Sequence, residues 1–161
     1  MSTRTGIGYD SHRFAEGRRL VLGGVEVPAA ERGLAGHSDA DALTHAVIDA
    51  LLGAAGLGDI GLHFPDHDER WRDADSIALL GEVCGFLGDH RWSVLHVDST
   101  VICEAPRLAP HRDAMRARLA EAIGIAQPDV NVKFTTNERM GFLGRGEGLA
   151  ALASATVSRK S

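Results

Sequence analysis

Residues 38–56 of the chain read SDADALTHAVIDALLGAAG. Apolar side chains return here at helical spacing: Leu43, Val47, Ala50, Leu51 and Ala54. Such spacing is typical of a helix that buries one face. Ser38 and Asp41, three residues apart, resemble a capping-box start, and Gly56 ends the pattern. The sequence therefore predicts an α-helix that starts around Ser38 and ends before Gly56.

The residues before this helix predict strands. Residues 5–14 alternate as an extended segment does. Residues 20–22 and 25–27 are largely apolar and flank Gly23 and Gly24. Because glycine accepts the positive φ angles of a two-residue turn, these residues predict a β-hairpin.

The residues after the helix complete the fold prediction. Residues 57–72 are polar and rich in turn formers, which predicts a long loop of functional importance. Beyond the loop the sequence predicts a helix from Ser76 to about His90, a strand from Trp92 to Glu104, a helix from Pro110 to Ile123, a strand from Val130 to Thr135, and a strand or helix from Leu149 to Val157. This order predicts one α+β (mixed α/β) domain over residues 1–161, a mixed β-sheet with helices packed on one face plus a small hairpin.

Composition narrows the range of partners. The 161 residues carry a formal net charge of −5 and only 5% aromatic residues, so we expect no nucleic acid partner. No apolar run approaches the roughly 20 residues that span a bilayer, and the N-terminus lacks the features of a secretory signal. We therefore expect no membrane partner and a cytoplasmic location. Cys84 and Cys103 are expected to be reduced core thiols.

Three residues could hold a metal ion. Asp10 and His12 are two apart on a predicted strand, so both side chains point to one face. Alone, this pair could equally be two solvated residues on an edge strand. His45 lies in the predicted helix with Asp41 and Asp49 one turn away, where a carboxylate could orient a ligating imidazole. His45 could instead be a core or surface histidine with ion-pair neighbours. One oxygen and two nitrogens with an open fourth position form the donor set of a catalytic zinc site.

Two further places could bind phosphate. His37 and Ser38 stand at the start of the predicted helix, where free N–H groups favour an anion, although Ser38 could simply cap the helix. Glu138 follows Thr135 and Thr136 after a short strand, a plausible site for a hard cation and a phosphate. The nearby Lys133, Arg139 and Arg145 could be ordinary solvated charges.

A family resemblance rests on seven short motifs. They are Gly8-Tyr9-Asp10-Ser11-His12, His37-Ser38-Asp39-Ala40-Asp41 with His45, Gly58-Asp59-Ile60-Gly61, Phe64-Pro65-Asp66, Ala105-Pro106-Arg107-Leu108, Thr135-Thr136-Asn137-Glu138 and Gly144-Arg145-Gly146-Glu147-Gly148. In this order, over nearly the whole length, the chain resembles the 2-C-methyl-D-erythritol 2,4-cyclodiphosphate synthase family of the non-mevalonate isoprenoid pathway.

The resemblance implies a reaction and its cofactors. A phosphorus–oxygen lyase of this family cyclises 4-diphosphocytidyl-2-C-methyl-D-erythritol 2-phosphate and releases CMP. It implies Zn²⁺ on Asp10, His12 and His45, and Mg²⁺ or Mn²⁺ on Glu138. His37 and Thr136 are implied as transition-state stabilisers.

The resemblance also implies the substrate contacts and the assembly. The implied contacts are Ser38, Asp59, Ile60, Gly61, Phe64, Asp66, Asp68, Cys103, Ala105, Pro106, Arg107, Leu108, Ala109, Thr135, Phe142 and Arg145. Among them, residues 103–109 and Thr135, together with Thr136, would read the cytosine from a neighbouring subunit. The family forms a homotrimer with its active sites between subunits, and its partner is otherwise the small-molecule substrate.

Two other functions fit the same residues. In a zinc-dependent nucleotide diphosphate hydrolase, water would attack the same phosphorus and give a linear product. A non-catalytic, metal-stapled nucleotide-binding module would need four protein ligands and would not fold without zinc.

Overall fold

The computed structural model describes residues 1–28 and 30–159. The strands are β1 (Ser2–Ala15), β2 (Val21–Leu22), β3 (Val25–Glu26), β4 (Gly33–Leu34), β5 (Trp92–Ile102), β6 (Val130–Thr135) and β7 (Gly148–Arg159). The helices are α1 (Ala42–Ala55), α2 (Ile60–His63), α3 (Ser76–Asp89), α4 (Arg112–Ile123) and α5 (Gly141–Gly144). Short 3₁₀ turns lie at Glu69–Trp71, Ala109–His111 and Gln127–Asp129.

A mixed five-stranded sheet has the order β4-β1-β7-β5-β6. The last strand of the chain, β7, lies at its centre and pairs antiparallel with both β1 and β5, while β5 and β6 are parallel. The predicted hairpin forms separately from β2 and β3, and both Gly23 and Gly24 have positive φ. The mixed sheet, the hairpin and the strand option for residues 149–157 are confirmed.

Helix α1 lies very close to the sheet because its neighbours on β1 have no side chains. A Cβ atom at Gly8 would lie 1.9 Å from the carbonyl oxygen of Ala46, and one at Gly6 would lie 2.2 Å from that of Ala50. Small residues on both surfaces thus let the helix and strand backbones approach each other. The next residues along β1 toward its C-terminal end, Asp10 and His12, share this face of the strand.

The opposite face of the sheet is open in the single chain. Ile7 and Tyr9 of β1 are 81% and 52% exposed, and Leu152 of β7 is 45% exposed. The side chains that alternate with them face the core, as Leu149, Ala151 and Ala153 of β7 do. The helices therefore cover one face, as the sequence predicts.

The predicted start of α1 is wrong by about one turn. Asp41, not Ser38, is the N-cap, and its carboxylate accepts from the N–H of Thr44 at 2.9 Å. The same buried carboxylate also accepts from the N–H groups of Gly23 and Gly24, which ties the hairpin to the helix. The Ser38 hydroxyl accepts from the N–H of Ala40 within the turn that leads into the helix.

Two other boundaries differ from the sequence prediction. The predicted loop 57–72 contains α2 and a 3₁₀ turn, each started by an aspartate, Asp59 and Asp68, whose side chain accepts a backbone N–H. A four-residue helix is too short to give an apolar period, so periodicity could not find it. Helix α4 begins at Arg112 because residues 109–111 form a 3₁₀ turn. Within the described residues, no helix has the length and hydropathy of a transmembrane span.

Candidate metal centre and substrate pocket

Three predicted ligands meet between β1 and α1. Asp10 and His12 point from β1 toward the helix, and His45 points from α1 toward the strand. Asp10 Oδ2 lies 2.8 Å from His12 Nε2 and 3.0 Å from His45 Nδ1. One ligand atom from each residue lies within 4.8 Å of the others. The close approach of α1 to Gly8 is what brings His45 to the strand.

The ring orientation of His12 is fixed by a backbone carbonyl. Strand β4 pairs with the end of β1 and leaves the Ala35 carbonyl beside the ring, 2.7 Å from His12 Nδ1. A carbonyl can only accept, so Nδ1 carries the proton and donates it. Nε2 is thereby turned toward Asp10 and is the ring nitrogen available to a metal.

The electrostatics of the centre favour charge on both Asp10 and His12. Burial raises the pKa of the Asp10 carboxyl, but hydrogen bonds and attraction from His12 and His45 outweigh it and hold the pKa at about 2. Burial lowers the pKa of His12, and the hydrogen bond and charge of Asp10 reverse this and raise it above its ordinary value. Because a metal needs the neutral imidazole, the raised pKa of His12 means that a metal competes with a proton at this centre.

The orientation of His45 comes from residues that the sequence analysis missed. The predicted partners, Asp41 and Asp49, are engaged elsewhere: Asp41 caps α1 and holds the hairpin, and Asp49 accepts from the N–H of Ile60 at 2.7 Å. Instead, His45 Nε2 lies 2.7 Å from the Ser76 hydroxyl, on the first turn of α3. The Ser76 hydroxyl in turn donates to Asp39. This prediction is wrong because the ring turns away from its own helix toward α3, 31 residues later.

The donor set fits a zinc ion. Two imidazole nitrogens and one carboxylate oxygen are common zinc ligands, and three protein ligands leave a fourth position for water or substrate. Among the described residues only these three form such a cluster. A structural site that staples a fold closes all four positions with protein, so this centre has the composition of a catalytic site.

A cavity of about 210 Å³ opens beside the three ligands. Six of the other predicted contacts line it: His37, Ser38, Ile60, Gly61, Phe64 and Asp66. Trp71 and Leu79 complete the wall and were not predicted. The Nε1–H of Trp71 is buried and has no hydrogen-bond partner among the described residues. An apolar ring within a polar loop is the one sequence signal that could have drawn attention to Trp71.

A second cavity, of about 200 Å³, lies at the C-terminal ends of β5 and β6. Its predicted wall residues are Cys103, Pro106, Arg107, Leu108, Ala109, Thr135 and Thr136, and Glu104 and Phe134 join them. Ala105 lines a neighbouring cavity together with Phe14 and Pro106. The second cavity and the cavity at the metal centre share no wall residue.

Glu138 lies beside the second cavity and is not part of the three-ligand cluster. It is exposed at the end of β6, and its Oε1 accepts from the Thr136 hydroxyl at 3.2 Å. Glu138 and Arg139 both have positive φ, 52° and 61°, which is uncommon for residues with side chains. The Glu104 carboxylate accepts from the N–H groups of Asn137 and Arg139 and so holds this turn.

The remaining predicted contacts have other partners. Asp59 caps α2, and Asp68 forms an ion pair with Arg70 at 2.6 Å. Arg145 pairs with Glu147 at 2.9 Å. Phe142 lines a further cavity beside Ser11, His12 and Arg13. The chain by itself thus presents a metal-side pocket and a separate β5–β6 pocket.

Comparisons with known proteins agree with this geometry. The model of the YgbB family matches residues 3–158. The 2-C-methyl-D-erythritol 2,4-cyclodiphosphate synthase of Rubrobacter xylanophilus is 59% identical, over 97% of this chain and 95% of its own length. The bifunctional IspDF of Campylobacter jejuni superposes with a TM-score of 0.95 at 38% identity, over 99% of this chain and 43% of its own. A CDP-bound structure of a 2C-methyl-D-erythritol-2,4-cyclodiphosphate synthase gives a TM-score of 0.88 at 37% identity, over 96% and 100% of the two chains.

Proposed function

This chain belongs to the YgbB family, whose matched relatives are 2-C-methyl-D-erythritol 2,4-cyclodiphosphate synthases, and we propose that its two pockets hold the two ends of that reaction's substrate. The chain is a lyase of non-mevalonate isoprenoid biosynthesis. It cyclises 4-diphosphocytidyl-2-C-methyl-D-erythritol 2-phosphate to the 2,4-cyclodiphosphate and releases CMP. The observation that carries the site assignment is the convergence of Asp10, His12 and His45 beside a polar pocket.

The three converged ligands are assigned to Zn²⁺, and Glu138 to Mg²⁺ or Mn²⁺. Support for zinc comes from the donor set and from the fixed ring of His12. The exposed Glu138 carboxylate offers the oxygen ligand that Mg²⁺ and Mn²⁺ prefer. Bound there, the two cations would offset the negative charge of a diphosphate under attack by another phosphate.

The metal-side pocket would bind the methylerythritol phosphate end of the substrate. His37 and Ser38 line it with donor groups suited to phosphate oxygens, and Asp66 offers an acceptor for hydroxyl groups. Ile60, Gly61 and Phe64 would shape the wall, with Asp59 and Asp68 at the loop around it. Held against the metal centre, the 2-phosphate oxygen can approach the β-phosphorus without a protein nucleophile.

The β5–β6 pocket would bind the cytidine end. Its wall combines apolar surface from Pro106, Leu108 and Phe134 with the hydroxyl groups of Thr135 and Thr136. The backbone of residues 103–109 carries the N–H and C=O groups that can read a base edge. A matched relative has been solved in a CDP-bound form, which supports a nucleotide pocket in this fold. Thr136, beside Glu138, is the assigned transition-state stabiliser on this side, and His37 on the other.

A homotrimer would bring the two pockets of different chains together. The pockets share no wall residue within one chain, and Glu138 is not among the clustered ligands. The open sheet face, with Ile7, Tyr9 and Leu152 exposed, offers an apolar surface for association. In a closed ring each chain would contribute its metal-side pocket to one neighbour and its β5–β6 pocket to the other.

Phosphorus NMR of the purified protein with the cytidyl substrate and Mg²⁺ tests the reaction. Ring closure gives CMP and a cyclic diphosphate, in which both phosphorus atoms are part of the ring. An open-chain product with two separate phosphate monoesters, at positions 2 and 4, would mean that water is the nucleophile and would make the protein a hydrolase. An unchanged spectrum with bound substrate would mean a binding module.

A further inference from the structure

We propose that Ser76 and Asp39 are positioning residues that hold the His45 ring with its Nδ1 facing the metal, an inference that rests on the zinc assignment above. The three side chains form a chain of hydrogen bonds from α3 to the metal centre. Ser76 Oγ lies 2.7 Å from His45 Nε2, and its hydroxyl donates to Asp39 Oδ1. His45 Nδ1, at the other side of the ring, lies 3.0 Å from Asp10 Oδ2.

The direction of these hydrogen bonds follows from Asp39. Its carboxylate also receives the N–H of Ser76 at 3.0 Å and the N–H of Asp41 at 3.2 Å. An ionised carboxylate can only accept, so the one hydroxyl proton of Ser76 is committed to Asp39. The Ser76 oxygen must then accept from His45, which places the ring proton on Nε2. Nδ1 is left as the nitrogen available to a metal.

Both imidazole rings are therefore held with one nitrogen free for a metal, but different groups hold them. A backbone carbonyl fixes His12 and leaves Nε2 to the metal, whereas a serine held by an aspartate fixes His45 and leaves Nδ1. A hydroxyl alone could accept or donate, and so would not select a tautomer of the ring. Because Asp39 accepts the only hydroxyl proton of Ser76, the serine oxygen can only accept from His45.

Ser38 is the competing partner, and the geometry ranks it second. Its hydroxyl lies 3.3 Å from His45 Nε2, longer than the distance to Ser76, and also accepts from the N–H of Ala40 at 3.2 Å. Ser76 is fully buried, while Ser38 lines the metal-side pocket. With Ser76 holding the ring, the Ser38 hydroxyl remains available to a phosphate oxygen.

The test is zinc affinity, measured by competition of the zinc-loaded protein with a chromophoric chelator. Ser76→Ala and Asp39→Asn should each weaken zinc binding about 10- to 100-fold, the usual effect of removing a group that orients a metal ligand. The asparagine amide can donate to Ser76, which frees the hydroxyl to donate to His45 and favours the wrong tautomer. The absorption spectrum of the Co²⁺-loaded variants should change in the same two cases, because it reports the ligand geometry directly.

Asp75→Asn is the matched control. Asp75 caps the same helix, one residue before Ser76, and accepts from the N–H of Ile77 without touching His45. This variant should have a slightly lower thermal stability and an unchanged zinc affinity.

Wild-type zinc affinity in both Ser76→Ala and Asp39→Asn would overturn the proposal. If Ser76→Ala does not fold, Asp39→Asn decides alone, because it keeps a side chain of the same size. A wild-type protein that binds no zinc would refute the zinc assignment itself, whereas ring closure is tested separately by phosphorus NMR.

Discussion

His45 is the residue on which the metal centre depends most directly. Replacing His45 by alanine removes one of the three proposed zinc ligands and leaves two on a single strand, which rarely retain zinc against a chelator. Alanine is the best helix former, so α1 should remain intact. We expect zinc, measured by elemental analysis, to fall from one ion per chain to near zero and ring closure to stop. Full zinc occupancy with a lowered melting temperature would instead make His45 a core residue.

The two thiols should react slowly in the native protein. Burial raises the pKa of Cys84 and of Cys103 to about 11. At pH 8 only about one thiol in a thousand is then ionised, and the thiolate is the reactive form. Labelling by iodoacetamide should accelerate about tenfold for each unit of pH between 8 and 10. The same protein unfolded in urea is the control and should label quickly at pH 8; equally fast labelling of native protein would contradict the prediction.

Sequence patterns show which side chains share one face of a strand or helix, but not which side chains meet across two elements. Asp10 and His12 share a face because of strand geometry alone, and His45 completes the set as predicted. Ser76 and Asp39 were missed because their role depends on where α3 begins relative to α1. Helical spacing pointed to Asp41 and Asp49, but it cannot say which way a ring turns. The packing of α3 against α1 determines the orientation of the His45 ring.

Among the secondary structure elements, the contact between α1 and β1 sets the distance between His45 and the pair Asp10 and His12. Replacing Gly8 by alanine would place a Cβ atom 1.9 Å from the Ala46 carbonyl oxygen, so the helix must move away from the strand. We expect a loss of about 3 kcal/mol in unfolding free energy and weaker zinc binding. Denaturant unfolding and chelator competition measure the two effects. An unchanged zinc affinity would show that His45 does not depend on this contact.

Gly53→Ala is the matched control on the same helix. The nearest atom to a Cβ there is the Ile7 carbonyl oxygen at 3.8 Å, an ordinary contact. Alanine in a helix interior is more favourable than glycine by roughly 0.5–1 kcal/mol, so this variant should become more stable and keep its zinc.

Two arginines of α4 donate hydrogen bonds to carbonyl groups of β6, an edge strand of the sheet. Arg116 Nε donates to the Val130 carbonyl at 2.7 Å, and Arg112 Nε donates to the Val132 carbonyl at 3.0 Å. Arg116→Ala would leave a buried carbonyl on β6 without this partner, at a cost of about 1–3 kcal/mol. The melting temperature should fall by roughly 2–4 °C per kcal/mol, with zinc content unchanged.

Arg118→Ala serves as the comparison, since its ion pair with Glu121 is solvent-exposed and such pairs contribute little. Equal melting temperatures for the two variants would show that the edge contacts do not matter. The sequence places these arginines on a predicted helix, but it cannot show that two of them reach across to a strand. Periodicity predicted the long helices and most strands, but not the four-residue α2 or the contacts between elements.

For the molecule as a whole, the two pockets pose the question of where a complete active site lies. The metal-side pocket lacks Glu138, and the β5–β6 pocket lacks the three-ligand cluster. Neither composition nor periodicity could predict this division, because it depends on which ends of the strands meet across the sheet. The proposed site between subunits would account for this division, and two inactive variants can test the proposal.

His45→Ala removes only the metal-side half of a site, and Glu138→Gln removes only the β5–β6 half. Glu138→Gln should keep its zinc, because Glu138 lies outside the ligand cluster, but it should require more Mg²⁺ or Mn²⁺ for turnover.

At a Mg²⁺ concentration where each variant alone is inactive, the two variants are unfolded together in equal amounts and refolded. In a ring of three chains, an active site is complete when the Glu138→Gln chain supplies the metal-side pocket with an intact His45 and the His45→Ala chain supplies the β5–β6 pocket with an intact Glu138. Random assembly gives this combination at about one interface in four, so the mixture should recover about a quarter of the wild-type activity. Should each chain hold a complete site, no mixture can recover activity, and sedimentation of an active monomer would agree with that outcome.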